Sequence, residues 1–153
     1  MAGVARLVSA GVTTQEELPA LPGSYALLFR NSETLTVRVG ALGEVSIEPG
    51  FLIYVGSAFG PGGLRARVSR HARLVKKRHW HIDYLRPYLS LEEAWWTTAP
   101  DNREHAWAEI LMRHMLPVHP RFGASDCTCR AHLVYSPDRP NHGTVGDVTI
   151  WNP

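Results

Sequence analysis

Two tyrosines, an arginine and a histidine stand at spacings that invite chemistry. Tyr25 closes the tripeptide Gly23-Ser24-Tyr25, Tyr54 opens Tyr54-Val55-Gly56 about thirty residues on, and Arg67 follows Gly56 by eleven residues. His71, four residues beyond Arg67, shares its face if the segment is helical. A phenol titrates near 10, so either tyrosine is a base at neutral pH only where a nearby cation lowers its pKa. Arg67 offers that cation, and a planar fork that matches phosphate geometry. The plainer account makes the tyrosines core residues with bonded hydroxyls, Arg67 a surface arginine and His71 a polar helix residue. Two other clusters resemble metal sites. His79 and Asp83 share a helical face near His81, but a neutral histidine bonded to a carboxylate explains them without a metal. Cys127, Cys129 and His132 are three soft ligands where a closed zinc site wants four at wider spacing. A structural turn near the cleft, with Ser125 or Asp126 touching substrate, is the preferred reading of that block.

These residues need elements to position them. Gly23–Arg30 reads as a mostly apolar strand, Thr34–Gly40 as a half-buried strand of alternating character, and the short connection between them as a hairpin turn. Phe51–Ser57 is apolar on both faces, so it is expected centrally in the sheet. The Phe59-Gly60-Pro61-Gly62-Gly63 stretch breaks regular structure and opens onto a helix from about Leu64 to Val75, with Leu64, Val68, Ala72 and Val75 as its buried stripe. His79–Arg86 is a short helix ended by Pro87, and Leu91–Thr98 a fourth strand or buried extension. In that strand Trp95 and Trp96 face opposite ways, so one is core and the other is available to stack on bases. A helix with Trp107, Leu111 and Met115 on one face begins near Asp101-Asn102 and ends before Pro117. A loop-rich tail with a short strand around Leu133-Val134-Tyr135 follows. This order argues for a mixed α/β domain of the α+β kind, with a small, largely antiparallel three-stranded central sheet flanked by helices.

With 153 residues and 44% apolar content, the chain supports one compact domain. No window approaches the roughly 18 uninterrupted apolar residues of a membrane span, and Met1 to Leu18 lacks the pattern of a secretory signal. Two cysteines one residue apart give no disulfide scaffold, so a cytoplasmic protein with reduced thiols and no membrane partner is expected. The net charge of +2 conceals an asymmetry: Leu64–Arg86 holds eight Lys or Arg against Asp83 alone, while the rest has eight basic residues against thirteen acidic ones. Such a block is how a footprint for a phosphate backbone looks in sequence.

The two tripeptides, their separation, the Gly-rich turn after the second and Arg67 on the next helix together resemble the GIY-YIG nuclease family, most closely its small stand-alone Uri-type members. The resemblance covers about Gly23 to Tyr135. It includes Tyr54-Val55-Gly56-Ser57-Ala58, Gly60-Pro61-Gly62-Gly63-Leu64, His79-Trp80-His81-Ile82-Asp83-Tyr84-Leu85 and Phe122-Gly123-Ala124-Ser125-Asp126-Cys127. Ser24 and Val55 depart from the family's isoleucines, and packing is expected to change there more than chemistry. The resemblance implies hydrolysis of nucleic-acid phosphodiester bonds, expected to be DNA, with one divalent metal, commonly Mg2+, or Mn2+. Tyr25 and Tyr54 would then be neighbours, one accepting a proton from the attacking water and one orienting it. Arg67 would neutralise the phosphate, His71 would orient a tyrosine or touch phosphate, and Glu104 would bind the metal, with Glu109 second. Ser57, Arg65, Arg70, Arg73, Lys76 and Lys77 are the expected nucleic-acid contacts. On this reading residues 1–22 are a lead, 23–136 the nuclease domain and 137–153 a tail packed on or beside it. No feature fixes an oligomeric state; a monomer is the default, although a double-strand cut would need two copies or two visits. A non-catalytic nucleic-acid binder with the same fold is the second reading, and a zinc-stabilised interaction module the third.

Overall fold

The computed structural model describes residues 17–120, 122 and 131–153. Its strands are β1 (Ser24–Asn31), β2 (Leu35–Val39), β3 (Gly43–Ile47), β4 (Gly50–Ser57), β5 (Ser90–Thr97), β6 (Leu116–Pro117), β7 (Leu133–Ser136) and β8 (Thr149–Trp151). Its α-helices are α1 (Gly63–Ala72), α2 (His81–Leu85) and α3 (Glu104–Met112). Six strands form one sheet in the order β6-β7-β4-β1-β5-β8, every pair antiparallel, and β2 with β3 form a separate two-stranded sheet. The protein is therefore a mixed α+β fold in which β1 and β4 are interior strands.

The sheet is wider than the expected three strands, and the expected hairpin between the first two strands does not form. Nearly every residue of β1 is buried, so β1 needs partners on both edges and layers on both faces; it finds them in β4 and β5. β2 alternates between exposed and partly buried positions, which suits a two-stranded flap with one wet face, and it pairs with β3 instead. Asn31 fixes this departure by donating its amide to the carbonyls of Ile47 and Glu48 at the end of β3. β7 forms where the short strand around Leu133-Val134-Tyr135 is expected, whereas β6 and β8, with two and three residues, are additions. Such strands carry too little alternation to be read from a pattern. β8 places part of the 137–153 segment at the sheet edge beside β5.

The two faces of the sheet have separate cores. On one, Tyr25, Leu27, Phe29, Leu52, Tyr54 and Trp96 meet Leu64 and Val68 of α1, Ile82 and Leu85 of α2, and Val39, Val45 and Ile47 of the flap. On the other, Ala26, Leu28, Ile53, Val55 and Trp95 meet Trp107, Leu111 and Met115 on and after α3. Trp95 and Trp96 do face opposite ways, but both are buried because both faces are covered, so neither is a free stacking platform.

α1 stops at Ala72, three residues short of expectation, because Arg73 turns to an extended conformation and Val75 leaves the buried stripe for solvent. Its free carbonyls are taken by cations. Lys76 Nζ donates to the carbonyls of Arg70, His71 and Arg73, and buried Arg86 donates to those of His71 and Ala72. Positive charge at a helix C-terminus is favoured by the macrodipole, which explains a buried guanidinium with no carboxylate among its described partners. At the other end, Gly63 has φ +59°, and a side chain there would overlap the backbone of Leu21, whose carbonyl accepts the N–H of Leu64.

Candidate active site

β1 and β4 run antiparallel with Tyr25 opposite Gly56, so Tyr54, two residues before Gly56, projects from the same face diagonally to Tyr25. Gly56 is glycine for a steric reason: a Cβ there would overlap the Tyr25 phenol. α1 crosses this face and delivers His71 between the two rings. The Tyr25 hydroxyl and His71 Nε2 are 2.9 Å apart, and the His71 ring meets each tyrosine ring at 5.6 Å between centroids. Trp80 closes the far side of His71 at 5.4 Å.

Arg67, one turn earlier on α1, donates Nη1 to the Ser57 carbonyl at 3.1 Å and lies over the Trp80 ring at 4.7 Å. It is half-buried, and its guanidinium stands beside the Tyr25 phenol. Ser57 links this group to α3, since its hydroxyl donates to Glu104 Oε1 at 2.8 Å, while Glu104 Oε2 lies 2.8 Å from His132 Nδ1. Glu104 occupies the first turn of α3, and the start of that helix is fixed by two bonds. Buried Ser24 accepts the N–H of Arg103 at 2.9 Å, and Asn102 Oδ1 accepts the N–H of Glu104 at 2.9 Å. Ser24 thus anchors the helix that carries the carboxylate.

The electrostatics of the cluster follow from its burial. Desolvation pushes Tyr25 above its ordinary value and outweighs the opposing effect of Arg67, so Tyr25 keeps its proton at neutral pH. Tyr54 is raised by burial and by the neighbouring Tyr25. The expectation that Arg67 would lower a tyrosine pKa enough to make it a free base is therefore not met by these groups alone. His71, 1% exposed, is lowered by burial from 6.5 to about 3 and is neutral. With Arg67 on the phenol oxygen, the Tyr25 O–H donates to Nε2. Burial raises Glu104, but the hydrogen bonds from His132 and Ser57 prevail and hold it below the ordinary carboxylate range.

His71 makes a measurable prediction. Its folded-state pKa lies below its unfolded value, so the unfolded chain takes up the proton first. The stability it contributes is fully present above pH 6.5 and is lost as pH falls towards 3. Urea denaturation at pH 7 and pH 5 should show the wild type losing about 2 kcal/mol more than His71→Gln over that interval. Equal losses would remove His71 as the source.

Other candidates lie elsewhere. Glu109 is exposed and outside the cluster. Arg65 donates to the Leu18 carbonyl, Arg70 binds Asp83 through both terminal nitrogens, and Lys76 caps α1 with its pKa lowered to about 8 by partial burial. Arg73 and Lys77 are exposed beyond the end of α1. Asp83 also accepts the N–H groups of His79 and Trp80, so the carboxylate of that cluster is an anchor for arginine and backbone. Ser125, Asp126, Cys127 and Cys129 lie outside the described residues. As partners of Glu104, His132 and His105 emerge only in three dimensions: the three offer ligand atoms all within 4.8 Å of one another. No sequence spacing joins residues 104 and 132. Trp80 had a signal, as the one tryptophan inside the basic block, where arginine stacking is favoured.

No α-helix among the described residues is long and apolar enough to cross a membrane. Comparison with curated proteins and with solved structures gives no match. The sequence model of a family described as a domain of unknown function, DUF123, matches residues 24–147, from the first residue of β1 almost to β8. Because that match takes in both tyrosine strands, α1, α3 and His132, the chain belongs to the DUF123 family.

Proposed function

We propose that the protein is a metal-dependent nuclease of the GIY-YIG kind, hydrolysing phosphodiester bonds of nucleic acid, with DNA the expected substrate. The observation that supports it best is the convergence of a half-buried arginine, a tyrosine–histidine pair and an ionised glutamate drawn from three separate elements. Arg67 is bonded to the Ser57 carbonyl and stands against the Tyr25 phenol, and its planar guanidinium fork matches the non-bridging oxygens of a phosphate. Trp80 stacks on Arg67 and shields it, which strengthens its pull on an anion.

Tyr25 enters the reaction protonated. As it takes a proton from the attacking water, it passes its own to His71 Nε2, so the pair accepts one proton while the phenol stays neutral. An anionic phosphate beside the pair raises the proton affinity of His71 above its empty-site value. Tyr54 packs against His71 and holds its ring in line with Tyr25.

A divalent metal fits the residues present, since Glu104 is ionised and His105 and His132 stand within ligand distance of it. Glu104 would hold the ion with these imidazoles, a mixed oxygen and nitrogen set that suits Mn2+ better than Mg2+. When bound, the metal supplies Lewis-acid neutralisation of the charge on phosphate.

The test incubates end-labelled duplex, single-stranded and branched DNA, and matching RNA, with the wild type and Glu104→Gln in Mg2+, Mn2+ or chelator. Metal-dependent products are expected, reduced at least about a hundredfold in the variant. Intact nucleic acid under every condition, with salt-sensitive binding retained, would replace the nuclease by a non-catalytic binder.

A further inference from the structure

The basic block ends in a loop whose composition is unusual for a solvent-facing turn. Between α1 and Trp80 the chain runs Arg73-Leu74-Val75-Lys76-Lys77-Arg78-His79. Val75 is 91% exposed and Leu74 57% exposed, so two branched aliphatic side chains stand in water at the tip. Water disfavours that arrangement, and a partner that covers the tip gains from it.

The tip is held in place from below. Lys76 turns inward to three carbonyls at the end of α1, Arg70 donates to the Lys77 carbonyl at 2.8 Å, and Asp83 accepts the N–H groups of His79 and Trp80. Both ends of the loop are bonded, so little ordering remains to be done on binding. Around the tip Arg73, Lys77 and Arg78 are exposed, and no carboxylate occurs between Leu64 and Ile82. The cationic collar selects a polyanion, and the apolar tip selects something with a greasy interior reachable from its charged surface. A base-paired stack inside its phosphate backbone has both properties.

The loop also adjoins the candidate active site. The Trp80 ring lies 4.7 Å from the Arg67 guanidinium carbon and 4.4 Å from that of Arg70, which in turn holds Lys77. From Arg67 to the end of α1 is about 8 Å of helix rise, so the tip stands a few base steps along any duplex whose phosphate reaches Arg67.

We propose that Leu74 and Val75 form a preset wedge that enters the base stack at an interruption of a duplex, such as a branch point, nick or mismatch, where unstacking costs least. The preferred substrate class of this site is then interrupted duplex and not continuous duplex. The inference rests on the nucleic-acid reading above, though not on cleavage.

The test uses the full chain in chelator with two fluorescent duplexes of equal length, one continuous and one carrying a three-way junction with 2-aminopurine at the branch. The wild type should bind the junction about tenfold more tightly and raise its 2-aminopurine emission. The doubly substituted Leu74→Ser, Val75→Ser chain should lose both effects while keeping the salt dependence of binding. Replacing Arg73, Lys77 and Arg78 by alanine should instead flatten the log–log salt slope by about 2 to 3. Unchanged junction preference and emission in the double serine variant would overturn the wedge. So would wild-type binding to phosphatidylserine vesicles that the serine variant loses while its junction signal persists, which would assign the tip to an anionic lipid surface. Restoring Mg2+ or Mn2+ separates the two readings: junction signal without cleavage keeps the wedge and ends the nuclease, and cleavage without the signal does the reverse.

Discussion

Arg67→Ala is expected to lower metal-dependent cleavage by about a thousandfold, the upper end of what removing one preorganised charge donor costs. Arg67 lies over Trp80 and is bonded to the Ser57 carbonyl, which fixes it next to the carboxylate that Ser57 holds. That fixed position means no reorganisation is needed when charge builds on phosphate. Its contribution to folding is small by comparison, a bond to the Ser57 carbonyl, a contact with the Tyr25 phenol and one stacking contact at a half-exposed position, about 1 kcal/mol. The variant should therefore stay folded and bind nucleic acid with a slightly shallower salt slope. Arg67→Lys should not restore activity, because an ammonium cannot present two parallel donors to phosphate and lies differently on an indole. Single-turnover cleavage of the preferred substrate measures the effect. Activity of Arg67→Ala within tenfold of wild type would exclude Arg67 from transition-state stabilisation and with it the mechanism proposed above.

Asp83→Asn is expected to destabilise the fold by about 3 kcal/mol, through loss of the ionic anchor and the uncompensated guanidinium left behind. The Asp83 side chain is fully buried and accepts four bonds: two from Arg70 at 3.1 and 2.9 Å, and one each from the backbone of His79 at 2.7 Å and Trp80 at 2.9 Å. An asparagine of the same shape turns an amide towards at least one of those donors. Burial raises the carboxyl of Asp83, yet Arg70 and the two backbone groups together hold it below the ordinary carboxylate range. Because its folded pKa is depressed, this stabilisation is present above the unfolded value of 3.8 and disappears as pH falls through the folded value. Urea denaturation at pH 7 should therefore separate wild type and variant clearly, and the gap should narrow below pH 4. A difference under about 1 kcal/mol at pH 7 would mean that Arg70 finds another partner cheaply.

The same anchor shows why a basic block read from sequence overstates the footprint it describes. Of eight cations between Leu64 and Arg86, Arg70 pairs with Asp83, and Lys76 and Arg86 cap α1. A helix that ends against a sheet leaves carbonyls needing donors, and nearby lysines and arginines supply them. Charge counting cannot tell a cation that faces solvent from one that closes a helix. Arg65 donates to the Leu18 carbonyl, and what is left for a polyanion is Arg67 at the cluster and Arg73, Lys77 and Arg78 at the loop.

The sequence by itself determined what local physics controls. The apolar runs of β1 and β4, the Gly-rich break before α1, the stripe of Leu64 and Val68, and the Trp107–Leu111 face of α3 all follow from short-range pattern. The Tyr25, Tyr54, Arg67 and His71 spacing is of the same kind, since neighbouring strands and one helix turn fix their separation. Tertiary structure decided the partners. It set β1 between β4 and β5, because a strand buried on both faces cannot tolerate an open edge. It extended the sheet to six strands, with β6 and β8 at its two edges too short to show a period. It brought Glu104 within hydrogen-bond reach of Ser57 and His132, 47 and 28 residues away. Such contacts depend on how elements pack and leave no spacing behind in the chain. Burial decided the rest, leaving Tyr25 protonated and His71 neutral, because desolvation is a property of the folded interior and not of any residue type.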